Sequence, residues 1–259
     1  MEMIRLQSVG ILFFALTATV LAKEYLSQKP DFIHPCKTTD PGFKKCFAKD
    51  FQVIFVQYKD GIPGLKNFGS IDPLHVKRVK VAEDGNGPVS INIELTNMEV
   101  HGFSKTIVTD ANFDPKKLIT RLKFALPEVK IISDYTVNGR VLTLPLNGHG
   151  QTRMEIKNLE IDVICKLKRR DEGGVIFSDI DKVIIPNLKV NGFHIEMDNL
   201  FNGNVALEQS AHTLFNENWR DFYETLRPSI TETIRTVMED RYKKVFAFVP
   251  ARYYIEDFQ

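Results

Sequence analysis

Charge of one sign is missing from this chain. Its 259 residues carry 34 Lys+Arg against 33 Asp+Glu, a formal net charge of +1. Nucleic-acid binders show a basic excess, so nucleic acid is not an expected partner. Metal-ligand spacing is missing too. The six histidines (His34, His75, His101, His149, His194 and His212) include no pair at the spacing of a helical zinc motif, and no cysteine or acidic cluster accompanies them. No G-x-S-x-G elbow occurs, since Ser70 and Ser104 sit in Gly-Ser-Ile and Phe-Ser-Lys contexts. Gly148-His149-Gly150 is half of a dinucleotide fingerprint with no clear helix after it, and it reads as a hairpin turn. Neither catalysis, a cofactor nor a metal is expected. With no N-x-S/T sequon, N-glycosylation is not expected either. Beyond the N-terminus no apolar run approaches the ~18 residues of a spanning helix. No repeat, low-complexity tract or linker divides the chain.

What is present is a globular composition, 43% apolar and 26% charged. The aromatic set of 19 Phe, 7 Tyr and 1 Trp points to a large apolar interior. Residues 1–22 read as a signal peptide. Arg5 supplies a basic start, Val9 to Leu16 is nearly all apolar, and Val20 and Ala22 set small residues before a cut after Ala22. A membrane anchor fits less well, because the apolar run is short and Lys23 and Glu24 follow at once. The mature chain, 23–259, is expected to be a single secreted domain, monomeric and without stable membrane insertion. On an oxidising route a disulfide is expected. Cys36 and Cys46 flank a helix start, and a bridge between them would contribute roughly 2–4 kcal/mol and pin the N-terminal arm to that helix. Cys165 continues the alternation Leu159, Ile161, Val163, Cys165, Leu167, which reads as a buried thiol.

The first helix is punctuated by Asp40 as cap, Pro41 in its first turn, and Gly61 and Pro63 beyond its end. Phe43, Phe47, Phe51, Ile54, Phe55 and Tyr58 form its apolar stripe. From Leu74 to Asn199 the period is two. The alternation Val89, Ile91, Ile93, Leu95 changes parity at Met98 and Val100, the mark of a bulge. Further runs lie at 122–131, 142–146, 159–167 and 183–197, several with an internal proline or glycine, and Asp171-Glu172-Gly173-Gly174 turns the chain. These runs predict a few long antiparallel strands, strongly curved. From Val205 to Phe246 the step is helical over roughly 60 Å, with Pro228 predicted to kink or split the helix. A helix of that length must bury its stripe against the sheet. Such a frame can enclose an elongated apolar cavity, although composition does not separate a hollow core from a solid one. Basic residues at a hairpin tip (Lys166, Lys168, Arg169, Arg170) and on the last helix (Arg241, Lys243, Lys244) motivate a rival reading, a protein- or membrane-interaction module carrying structural lipid.

Several segments, in order, resemble the insect takeout family, which is similar to the juvenile hormone binding proteins. They are Cys36 with Asp40-Pro41-Gly42-Phe43 and Cys46, Gly61-Ile62-Pro63, Ile71-Asp72-Pro73-Leu74, Gly87-Pro88-Val89 and Val100-His101-Gly102-Phe103-Ser104. Tyr135 ahead of Gly139, Leu144-Pro145-Leu146-Asn147-Gly148-His149-Gly150, Asn199-Leu200-Phe201-Asn202-Gly203, Asn216-Glu217-Asn218-Trp219 and Arg227-Pro228-Ser229-Ile230 complete the set. The resemblance implies an α+β fold, with a long C-terminal helix wrapped in a highly curved antiparallel sheet as a tubular lipid-binding roll, and a short N-terminal helix. It implies a secreted carrier without catalysis, whose ligands are juvenile hormone-like terpenoids, fatty acids or isoprenoid chains. The family's early cysteine pair maps onto Cys36 and Cys46. The hormone-binding branch has a second disulfide that the lone Cys165 cannot form, which favours the takeout branch. Within that frame Phe51, Ile54, Phe55 and Tyr58 are expected to face the tunnel as its gate. Tyr135 is expected either to reach a ligand oxygen or to be satisfied internally, and Trp219 to report binding. Mass spectrometry of the secreted chain is expected to find Lys23 at its N-terminus; a chain still beginning at Met1 would contradict the cleavage reading.

Overall fold

Seven antiparallel strands take up the period-two segment, with helices before and after it. The computed structural model describes residues 25–83, 89–141 and 143–258; residues 1–22, read as a signal peptide, together with Gly87-Pro88 and Leu142, lie outside the described residues. Helix α1 (Phe43–Gln57) is followed by β1 (Leu74–Glu83), β2 (Val89–His101), β3 (Ile107–Asp114), β4 (Ile119–Val141), β5 (Leu144–Glu172), β6 (Val175–Lys189) and β7 (Gly192–Met197). Helices α2 (Val205–Glu217) and α3 (Trp219–Phe248) follow. The sheet path is β1-β2-β4-β5-β6, with β3 added to β4 and β7 to β5. Two strands dominate. β4 pairs with β5 along its whole length, while its other edge takes β3 at 119–125 and β2 at 130–141. The outer edge of β5 takes β7 at 152–157 and β6 at 160–172. The α+β class, the N-terminal helix and the long C-terminal helix match the sequence reading.

Local chemistry explains where the strands change face. The parity slip before Met98 is a bulge between Thr96 and Glu99, with Asn97 at φ 51°. A second slip crosses the two long strands. On β4 the buried side chains change from Leu122, Phe124 and Leu126 to Val129, Tyr135 and Val137 across Pro127, which has no N–H for the ladder. On β5 the matching change falls at Asn158, at φ 48°, next to the pair Glu128–Lys157. Gly148-His149-Gly150, expected as a hairpin turn, instead lies inside β5. A Cβ at Gly148 would stand 2.5 Å from the Leu200 carbonyl oxygen, and one at Gly150 2.3 Å from that of Asp198. The glycines let the segment after β7 lie against the strand; they do not turn it.

The helices differ from expectation in two places. Asp40 does not cap α1; its carboxylate accepts from the Gly42 N–H at 2.6 Å, and Gly42 holds the cap position. The C-terminal helix breaks at Asn218, whose amide donates to the Leu214 carbonyl at 2.9 Å, and α3 runs on through Pro228. The helical hydrogen bond that proline cannot make is lost without ending the helix.

The ends of the chain are strapped together. Cys36 is disulfide-bonded to Cys46 and forms a parallel bridge with Ile255. Thr38 donates its N–H at 2.9 Å and its hydroxyl at 2.7 Å to Asp257. Around these straps aromatic rings pack in contact: Phe43 stacks on Phe47 at 5.1 Å, Phe113 on Phe258 at 5.7 Å, and Phe246 meets Tyr254 at 5.8 Å, with a pocket of about 290 Å³ beside Thr38, Phe113, Asp257 and Phe258. Cys165 is fully buried in this half, and burial, aided by Glu239, pushes its thiol up to about 12.

Asp72 ties β1 to the turn after β2. Its carboxylate accepts from the Gly102 N–H at 3.0 Å, the Ser104 N–H at 2.8 Å and the Ser104 hydroxyl. Burial opposes its charge, but those hydrogen bonds, with His101 nearby, hold the carboxyl below its usual value. A depressed native pKa contributes stability that is present above the unfolded value of about 3.9 and is lost as pH falls through the native value. Asp72→Ala is expected to cost about 2 kcal/mol in urea unfolding at pH 7. The gap to wild type should narrow below about pH 4; an equal gap at pH 7 and pH 3 would contradict the assignment.

Candidate functional site: an apolar cavity between sheet and helices

The other half of the molecule is hollow. A cavity of about 360 Å³ lies between the sheet and the C-terminal helices. Its wall on β4 begins at Val129, directly after the change of face at Pro127, and includes Ile131 and Val137. The inward positions of β1, β2, β5 and β7 supply further aliphatic side chains, among them Val79, Ile91, Ile93, Met154, Ile156 and Ile195. Phe215 of α2 and a stripe on α3 (Trp219, Phe222, Leu226, Ile230, Ile234, Met238) close the opposite side. From Trp219 to Met238 that stripe covers roughly 28 Å at the helical rise per residue.

Among the described residues the wall carries no Asp, Glu, Lys, Arg or His. Its polar side-chain atoms belong to Trp219, Tyr223 and Thr233. The Tyr223 hydroxyl donates to the Leu188 carbonyl of β6 at 2.8 Å. Burial raises its pKa, so the phenol stays neutral. Nothing on this wall can act as acid, base or nucleophile near neutral pH; what the arrangement can do is remove apolar surface from water.

Of the residues singled out from sequence, Trp219 is in the wall. The four on α1 sit elsewhere. Phe51 packs edge-on against Phe47 at 5.0 Å, Phe55 against Phe124 at 5.6 Å and Tyr58 against Phe32 at 5.1 Å; Ile54 packs on the same core. None of the four lines this cavity. Helix α1 is held instead to β3, where the Gln52 side chain donates to the Thr106 carbonyl at 2.5 Å and accepts from the Val108 N–H at 2.8 Å. Tyr135 is buried and donates its hydroxyl to the Asp198 carbonyl at 2.9 Å, and burial raises its pKa, with Glu208 and Asp198 adding to the shift. Its phenol has the internal partner that one of the two sequence readings allowed. The strand residues of the wall were visible as alternation, but alternation reports facing inward, not facing a void. Among the described residues, the group of possible metal-ligand atoms is Cys36, Cys46 and Asp50. Both sulfurs there are spent in the disulfide.

A cavity walled by one sheet and two helices and lined by apolar side chains gives a hydrophobic molecule a place out of water. The chain belongs to the haemolymph juvenile hormone binding protein (JHBP) family, which it matches over residues 11–256. It is 23% identical over 230 residues to the circadian clock-controlled protein daywake of Drosophila melanogaster, covering 85% of this chain and 86% of that one. The Drosophila yakuba counterpart is 21% identical over 252 residues, at 94% and 95% coverage. The crystal structure of Takeout 1 from Epiphyas postvittana superposes with a TM-score of 0.75 at 23% identity, over 86% of this chain and 99% of that one. That superposition establishes the fold.

The hollow and solid halves can be told apart on one strand. Ile156 faces the cavity, whereas Val163 is 1% exposed and off its wall. Ile156→Phe is expected to cost less than about 1 kcal/mol, because the ring has space to enter, and Val163→Phe about 1–3 kcal/mol or more. Equal shifts in urea midpoint would contradict the cavity.

Proposed function

We propose that this protein is a secreted carrier holding one elongated hydrophobic molecule, a juvenile hormone-like terpenoid, a fatty acid or an isoprenoid chain, in the cavity. The observation that carries the reading is the continuous apolar wall, without a charged side chain among the described residues. A volume of about 360 Å³ falls within the roughly 300–1,000 Å³ of ligand sites. Burial at about 0.8 kcal/mol per CH₂ gives a chain of ~15 carbons on the order of 12 kcal/mol gross, before ordering and association costs. Family membership supports an extracellular site of action; the proposal takes residues 1–22 as removed and 23–259 as a single domain.

The same proposal includes a highly curved sheet rolled about the long helix. Its support is that α3 is bonded to both outer strands of the path. Ser229 donates to the Ala82 carbonyl of β1 at 3.1 Å, Arg241 to the His75 carbonyl of β1 at 2.8 Å, and Tyr223 to Leu188 of β6. Several of the basic residues that motivated the interaction-module reading are paired with acids of this chain. Lys168 pairs with Asp181 at 2.5 Å, Arg170 with Asp179 at 2.7 Å, Lys243 with Glu239 at 2.5 Å and Lys244 with Asp240 at 2.7 Å.

Trp219 is the single tryptophan and a wall residue. Titrating delipidated protein with a long-chain fatty acid, a juvenoid and an isoprenoid quinone is expected to change its fluorescence saturably, with a one-to-one endpoint for at least one of them. No saturable change with any, together with no displacement of a fluorescent lipid, would overturn the carrier reading.

A further inference from the structure

We propose that the cavity admits uncharged chains and rejects ionised ones, so that its ligand is an ester, alcohol, ketone, ether or hydrocarbon and not a carboxylate. This rests on the carrier reading and narrows its ligand class. A carboxylate drawn into an apolar interior needs a cation or several hydrogen-bond donors to replace its water. Among the described residues, no lysine, arginine or histidine reaches the wall from any of the five strands or two helices that form it. The one titratable wall residue, Tyr223, already spends its proton on Leu188. The remaining donors are neutral: the Trp219 indole N–H and the Thr233 hydroxyl, neither with a hydrogen-bond partner among the described residues. Thr213, Thr225 and Thr236 on the same two helices bond back to the carbonyl four residues earlier, which leaves Thr233 as the free hydroxyl on the wall. Trp219 and Thr233 stand roughly 21 Å apart along α3 at the helical rise, so one carboxylate cannot reach both. Each suits a single uncharged acceptor oxygen, at one end or the other of a long chain.

An acid whose head group enters the cavity has one other way in, as the protonated form. At pH 8 an ordinary carboxyl with a pKa near 4.3 is protonated about once in several thousand molecules, which sets the size of the penalty and its pH dependence. The experiment compares three ligands of one chain length (hexadecanol, methyl palmitate and palmitate) by displacement of a neutral fluorescent lipid from the full mature chain, kept at submicellar concentration. The expected result is tight binding of the alcohol and the ester, and binding of palmitate about 100-fold weaker or worse at pH 8. Palmitate affinity should then gain about tenfold per pH unit between pH 8 and pH 6, with the ester unchanged. Palmitate bound as tightly as the ester at pH 8, or with no pH dependence, overturns the inference and leaves the carrier reading standing. If none of the three displaces the probe, and no terpenoid ester does, the carrier reading falls and the inference with it.

Discussion

An oily space without protein side chains in it is the feature on which everything else in this molecule depends. By the cost of engineered core cavities, about 24 cal/mol per Å³, an empty volume of 360 Å³ amounts to on the order of 9 kcal/mol. A whole domain is stable by only about 5–15 kcal/mol. A void of that size is not a packing fault that a fold carries idly. On the carrier reading, a chain-like ligand that fills it restores the contacts and the burial that the wall residues lack.

The frame is built from joints between segments far apart in sequence. Asp72 holds Gly102 and Ser104; Gly148 and Gly150 let the backbone of 198–200 lie directly on β5. The Asn216 side chain gives and takes a hydrogen bond with the backbone of Ile195, standing in for a strand partner. Tyr135 and Asn199 bind carbonyls of the same region. The segments that carry the family resemblance include these joints. They specify how the wall is held, whereas the wall itself needs only apolar side chains at inward positions, which many residues satisfy.

That division explains what could be read without coordinates. The stripe of α1, the alternating strands, the bulge before Met98 and the Cys36–Cys46 bridge follow from local chemistry and were legible. The long-range close approach that makes Gly148 and Gly150 strand residues was not, because nothing local shows that Leu200 and Asp198 lie above them. The helix break is similar: Pro228 carries the stronger local signal, yet Asn218, bonded to Leu214 by backbone and side chain, is where the helix ends. The aromatic stripe of α1 was read toward the cavity, since its period shows one buried face but not which half of the core that face meets. Trp219, expected to report binding, lies in the wall at the start of α3.

Native mass spectrometry of the chain secreted by eukaryotic cells and purified without detergent bears most directly on whether the hollow half is a ligand chamber. The structure predicts a protein heavier than its polypeptide by one small molecule, released on denaturation as an uncharged, chain-like lipid. A bare polypeptide mass that persists after incubation with terpenoid esters, fatty alcohols and quinones would contradict it.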